Sequence, residues 1–307
     1  MIRGLDLKNP DDVYFSFLAC TISLLLMLIC MFVFISCSGD PKADLSASSL
    51  EGHAPFTVNF FNKSRNSDQF KWDFGDGSNP IMANIDDLVR HTYTKAGKHT
   101  VSLTAFRSGE LSEGDTHTIE IFVNTGPLTN LKLEPSLLEV EVTKRQLFRP
   151  LFSDEFGNIP SNVEFVFILD GEVGQINRNG NFVAGRVAGT YSKSVKVEAF
   201  DGKVSLEAYS DVTVIPGPLD HLAIEPEETT VDVGQSQKFI VTAFDSYENT
   251  IDGLVYEFSA NVNSGVIDSY GNYTAGIITG NCENCISVHV TDKSITKSIT
   301  ASVFINQ

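Results

Sequence analysis

The chain is short of most residue patterns that signal chemistry. Lysine and arginine together number 22 against 39 aspartates and glutamates, giving a formal net charge of −17. A chain this acidic gains nothing from the phosphates of DNA or RNA, so no nucleic-acid partner is expected. Tryptophan occurs once, and the six histidines (His53, His91, His99, His117, His221 and His289) are scattered along the length. There is no H-E-x-x-H, no G-x-S-x-G, no Walker loop and no dinucleotide glycine fingerprint. Acidic pairs such as Asp86–Asp87 and Glu227–Glu228 read as solvated loop charges. Neither enzymatic activity nor a resident cofactor is expected. Beyond the N-terminal region no stretch keeps a 3.6-residue apolar period, which excludes a helical architecture.

What the chain does have begins with an apolar run. Val13 to Ser36 carries no charge, and as a helix it would be about 36 Å long, enough to cross a bilayer. It ends in "FISCSGD", where small Ser36 precedes Cys37. That ending resembles a bacterial lipoprotein signal, which implies lipidation at Cys37 and, with Ser38 rather than Asp following, sorting to the outer membrane. Phe34 where Leu is usual, and Asp6, Asp11 and Asp12 in the n-region, leave an uncleaved signal anchor as the rival. Residues 1–37 are therefore a signal peptide or membrane anchor. The remainder is expected to be exported to the cell envelope and tethered to the membrane.

After Cys37 the pattern is all-β. Alternating runs such as "FTVNFF", "HTVSLTAF" and "SVKVEAF" are separated by Gly, Asn, Asp and Pro clusters, as in tandem sandwiches. Between residues 38 and 124 four sets alternate: Phe56, Val58 and Phe60; Phe70, Trp72 and Phe74; Val101, Leu103 and Ala105; Ile119, Ile121 and Val123. Each set is expected to face inward, so Trp72 belongs to a core. Gly75 and Gly77 end its strand in a turn that needs left-handed backbone angles, and Asp76 can accept backbone N–H bonds there. The segments "APFTVNFFNKS", "FKWDFGDGS" and "HTYTKAGKHTVSLTA" resemble the three signature blocks of PKD (polycystic kidney disease) domains. The resemblance implies that Trp72 is core, that Asp73, Gly75, Asp76 and Gly77 form the turn, and that Tyr93 packs beside it. His91 is expected to make a structural hydrogen bond.

A repeat fills the rest. "TGPLTNLKLEP" from Thr125 returns as "PGPLDHLAIEP" from Pro216, 91 residues on, and "GQINRNGNFVAG" from Gly174 returns as "GVIDSYGNYTAG" from Gly265. Residues 125–216 and 217–307 are then two further sandwiches. They resemble bacterial immunoglobulin-like domains of the invasin type, so the whole reads as three tandem immunoglobulin-like β-sandwiches. Glu248 stands where the repeated turn otherwise carries Gly157. The loops "SDEFGN" and "FDSYEN" could hold calcium; an Asp-started turn closed by Asn158 or Asn249 is the expectation, and no other metal is expected. Cys282 and Cys285, the only cysteines of the exported region, are expected to form a local disulfide.

Two functional classes fit. In the first, the chain is an elongated, non-catalytic stalk, adhesin or surface-assembly subunit that contacts other envelope proteins or surface polysaccharide. In the second, it is a carbohydrate- or protein-binding accessory of a secreted degradative system. Most aromatics fall at inward positions, which favours the first.

Overall fold

A computed structural model describes residues 39–108 and 114–307. The apolar run, Cys20, Cys30 and Cys37 lie outside them. The described residues form strands and turns with no helix, arranged as immunoglobulin-like sheets in two compact units that divide after Gly126.

The first unit contains β1 (Leu45–Ala47), β2 (Glu51–His53), β3 (Phe56–Asn62), β4 (Gln69–Asp73), β5 (Ile81–Ala83), β6 (Val89–Tyr93), β7 (Gly97–Phe106) and β8 (Asp115–Asn124). One sheet runs β1-β3-β6 and the other β2-β8-β7-β4-β5, with β2 parallel to β8. Period-two alternation puts Val58 and Phe60 of the first sheet against Phe70, Trp72, Leu103 and Ile121 of the second, all essentially without exposure. Phe60 and Trp72 meet across the layers with ring centroids 5.8 Å apart. Of the residues expected inside, Phe56 and Ile119 are only half-buried. Burying Trp72 is worth on the order of 3 kcal/mol, reduced because its indole N–H has no acceptor.

The second unit holds the two repeats. The first repeat has β9 (Asn130–Glu134), β10 (Leu137–Glu141), β11 (Arg145–Leu147), β12 (Arg149–Ser153), β13 (Glu164–Leu169), β14 (Gly174–Ile176), β15 (Asn181–Ala184), β16 (Gly189–Phe200) and β17 (Ser205–Ile215). The second has β18 (His221–Glu225), β19 (Glu228–Asp232), β20 (Ser236–Lys238), β21 (Ile240–Phe244), β22 (Tyr256–Ala260), β23 (Gly265–Ile267), β24 (Asn272–Ala275), β25 (Gly280–Asp292) and β26 (Ile295–Asn306). Their sheets correspond one to one: β10-β17-β16-β13 with β19-β26-β25-β22, β11-β15-β14 with β20-β24-β23, and β12-β9 with β21-β18. Each repeat has its own core, around Phe148, Phe182 and Val197 in one and Phe239, Tyr273 and Val288 in the other.

The repeated N-G-N and Y-G-N motifs have one mechanical cause. Asn177 Oδ1 accepts the N–H groups of Asn179 and Asn181, and Asp268 Oδ1 accepts those of Tyr270 and Asn272. Both turns place a glycine, Gly180 or Gly271, at φ 78° or 82° beneath the carbonyl of Phe148 or Phe239. A Cβ there would lie 2.2 or 2.4 Å from that oxygen, so only glycine fits.

Candidate functional site

Three places gather the polar groups that chemistry could use. The first is the turn after β4. Asp73 Oδ1 accepts the Gly75 N–H at 2.9 Å, and Gly75, at φ 72°, lies so close to the Thr100 backbone that a Cβ would sit 2.3 Å from its oxygen. Asp76 then takes three bonds. Its Oδ1 accepts the Ser78 hydroxyl at 2.6 Å and the Ser78 N–H at 3.0 Å, and its Oδ2 accepts His91 Nε2 at 2.6 Å. Burial alone would push the Asp76 carboxyl up, but the Ser78 and His91 bonds outweigh it and bring it down to about 2.

Rings lock the turn from the other side. The His91 imidazole stacks on Phe74 at 4.0 Å and meets Tyr93 edge-on at 4.8 Å. The buried Tyr93 hydroxyl donates to the Phe74 carbonyl at 3.1 Å, and burial, then the charges of Asp76 and Asp73, push its pKa up. His99 stacks on Tyr93, and its Nε2 donates to the Lys95 carbonyl at 2.9 Å. Serine, histidine and aspartate thus stand together, but not in the order of a Ser–His–Asp triad. In a triad the imidazole bonds the hydroxyl, whereas here Ser78 and His91 are each bound to a different oxygen of Asp76. Trp72 is fully buried, Asp73, Gly75, Asp76 and Gly77 lie in this turn, and His91 and Tyr93 pack against it. The buried His99 was missed in the sequence.

The second place is the pair of Asp–Asn loops. Asp154 and Asp245 are buried, and each Oδ1 accepts two backbone N–H groups: those of Phe156 and Asn158, or of Tyr247 and Asn249. Each Oδ2 accepts the amide of Asn158 or Asn249, and Asp245 Oδ2 also accepts the Gly217 N–H at 2.8 Å. Burial opposes ionisation of Asp245, and these bonds overcome it, leaving its pKa below the usual range. Such a carboxylate is satisfied by N–H groups without a cation, which is the turn geometry expected. Among the described residues no cluster of three metal-ligating side chains forms. Glu248 adopts φ 66° where Gly157 has 78°, so the loop survives the substitution.

Asn249 has a further role that the sequence did not signal. Its Nδ2 donates to the Arg186 carbonyl at 2.8 Å, and its Oδ1 accepts the Ala188 N–H at 2.7 Å. The Arg186 guanidinium lies over the Tyr247 ring, 5.4 Å from its centroid. One amide therefore clamps the loop of one repeat onto the other.

The third place is the cysteine pair. The expected disulfide is absent here, because Cys282 and Cys285 are free thiols. They flank a bulge in β25, where Asn284 takes φ 50° and the register against β26 slips. The bulge turns Cys285 into the core, where its thiol donates to the Cys282 carbonyl at 3.1 Å. Burial, and then the bond with Cys282, push the Cys285 thiol up to about 11, the opposite of an activated cysteine. Tyr191 and Ser194 occupy the same bulge in the first repeat, with Lys193 at φ 50°.

No curated protein matches the chain in sequence. Among solved structures, the chain is similar to the Escherichia coli adhesin FdeC at 15% identity and TM-score 0.46, covering 88% of this chain and 99% of that one. The extracellular domain of protocadherin gamma-B4 matches at 11% identity and TM-score 0.43, covering 87% of this chain and 51% of that one. Mouse cadherin-23 EC22–24 matches at 13% and 0.36, covering 86% and 99%. Likenesses at these scores carry no argument about function. The family model described as "PKD domain" matches residues 39–123, the segment whose turn and ring stack are described above.

Proposed function

We propose that this is a non-catalytic cell-envelope protein, tethered to the membrane through its N-terminal segment. It acts by protein–protein contact as a stalk, adhesin or surface-assembly subunit. One observation carries this reading: in each sandwich the buried or clustered polar groups are spent on holding the turns, while outward positions differ between two repeats whose strands pair in the same order and register. A scaffold of that kind displays surfaces for contact.

The tether is tested at Cys37. The expected result is an acylated Cys37 as the mature N-terminus by mass spectrometry, with Cys37→Ser released from the membrane fraction. An intact Met1 with unmodified Cys37 supports the uncleaved anchor instead. Wild-type protein recovered from the soluble fraction, like the Cys37→Ser variant, removes the tether altogether.

A further inference from the structure

The outer face of the β11-β15-β14 sheet differs in kind between the repeats. In the first repeat it forms an open depression of about 660 Å³, floored by Leu147 and Val183 and edged by Arg145, Gln175, Asn177 and Asn181. A second depression of the same volume adjoins it through Gln146 and Leu147 and ends at Arg149. Arg178 sits on the turn beside Asn177. All three arginines are exposed, and among the described residues none of their guanidinium groups makes a hydrogen bond or an ion pair. Glu134 faces Arg149 across the β9–β12 ladder without reaching ion-pair distance. In a chain of net charge −17, Arg145 and Arg149 line these depressions without an ion-pair partner, and Glu134 is the one carboxylate in either lining, which leaves the face net positive.

The second repeat supplies the control. At the equivalent positions it has Ser236, Ile240 and Ser269, and Val266 where Gln175 stands. Its one cation on this face, Lys238, is already donated to the Tyr270 carbonyl. The scaffold does not need the arginines, because the fold persists without them.

We propose that this face of the first repeat binds an acidic oligosaccharide carrying carboxylates on spaced sugars, of the uronic-acid type. Arginine pairs with a carboxylate through two parallel N–H bonds. Arg145, Leu147 and Arg149 alternate along an extended segment whose intervening Phe148 is buried, so the backbone positions of the two arginines are about 13 Å apart. Leu147 lies between them as an apolar rest for a sugar ring, and Gln175 and Asn181 offer amides to its hydroxyls. A densely charged nucleic acid is disfavoured by the chain's overall charge, whereas a chain with one anion for every few hydroxyls matches two spaced cations. The proposal goes beyond the contact role and holds whether or not the chain is tethered.

Calorimetric titration of the full chain with a galacturonic acid tetramer, in parallel with a neutral galactose tetramer of the same linkage, tests it. The acidic tetramer is expected to bind saturably and to weaken as salt rises, with the neutral one at least tenfold weaker. Arg145→Gln/Arg149→Gln should lower affinity at least tenfold without moving the melting temperature. Ser236→Arg/Ile240→Arg added to that double variant should restore part of it. No saturable binding up to about 10 mM, equal binding of the neutral tetramer, or binding unchanged in the arginine variant each overturns the site.

Discussion

The first sandwich fixes its key turn with rings, and the two repeats fix theirs with a buried carboxylate. In the first, Asp76 is anchored by Ser78 and His91, and the imidazole stacks on Phe74 and meets Tyr93 edge-on. In the repeats, Asp154 or Asp245 gathers the N–H groups of its own loop and no ring is required. Both devices answer the same need, since a chain reversing at the end of a strand leaves donors that burial would otherwise strand. The difference lies in what each couples to. The ring device ties the turn to a late strand of the same sandwich through Tyr93, whereas the carboxylate device in the second repeat reaches Gly217 and, through Asn249, the neighbouring repeat.

The largest test of that contrast is Trp72→Ala. It empties a fully buried site under the ring device, at a cost of about 3–5 kcal/mol, a large share of a small domain's stability. The repeats have their own cores and should not respond. Calorimetry of the full chain should show one transition moved down or lost and the rest in place. If all transitions fall together, the sandwiches are not independent.

A middle-sized test uses acid. Asp76 is held near 2 against an ordinary 3.8, so its contribution is complete above the unfolded value and disappears as pH falls through about 2. Asp245 is shifted in the same direction, so its contribution is also lost on the acid side. Asp76→Asn should therefore flatten the decline of the first transition between about pH 4 and pH 2, leaving that of the repeats as steep as before. Melting temperature against pH for the two proteins decides it. An unchanged slope in the first transition means that other carboxylates govern it.

Much of this was legible because the signals are local. Alternation identified the inward sets except at Phe56 and Ile119, and "WDFGDG" marks a turn whose two glycines take φ 72° and 87°. The 91-residue offset carried over to strand boundaries such as Asn181–Ala184 and Asn272–Ala275. Contacts that cross from one repeat to the other left no such trace. Asn249 and its counterpart Asn158 look alike in the sequence, and only the fold brings Arg186 and Ala188 to the amide of Asn249. The cysteines misled for a related reason: C-x-x-C spacing suits a bridge, but it does not show that a bulge turns Cys285 inward to donate to Cys282.

The smallest test compares the repeats with each other. Gly157 and Glu248 hold the same turn at φ 78° and 66°, but only glycine, which has no Cβ, does so without crowding the following carbonyl. Left-handed geometry costs a non-glycine residue about 1–2 kcal/mol, and glycine gives back about 0.5–1 kcal/mol through the freedom it has when unfolded. Glu248→Gly should therefore stabilise the second repeat by roughly 0.5 kcal/mol. It also removes a carboxylate 3.5 Å from His221, but that pair is exposed and contributes little. The reciprocal Gly157→Glu should destabilise the first repeat by a similar amount. Chemical denaturation of both variants gives the answer. If Glu248→Gly instead destabilises the second repeat, the Glu248–His221 pair outweighs the strain, and the two loops are equivalent in shape alone.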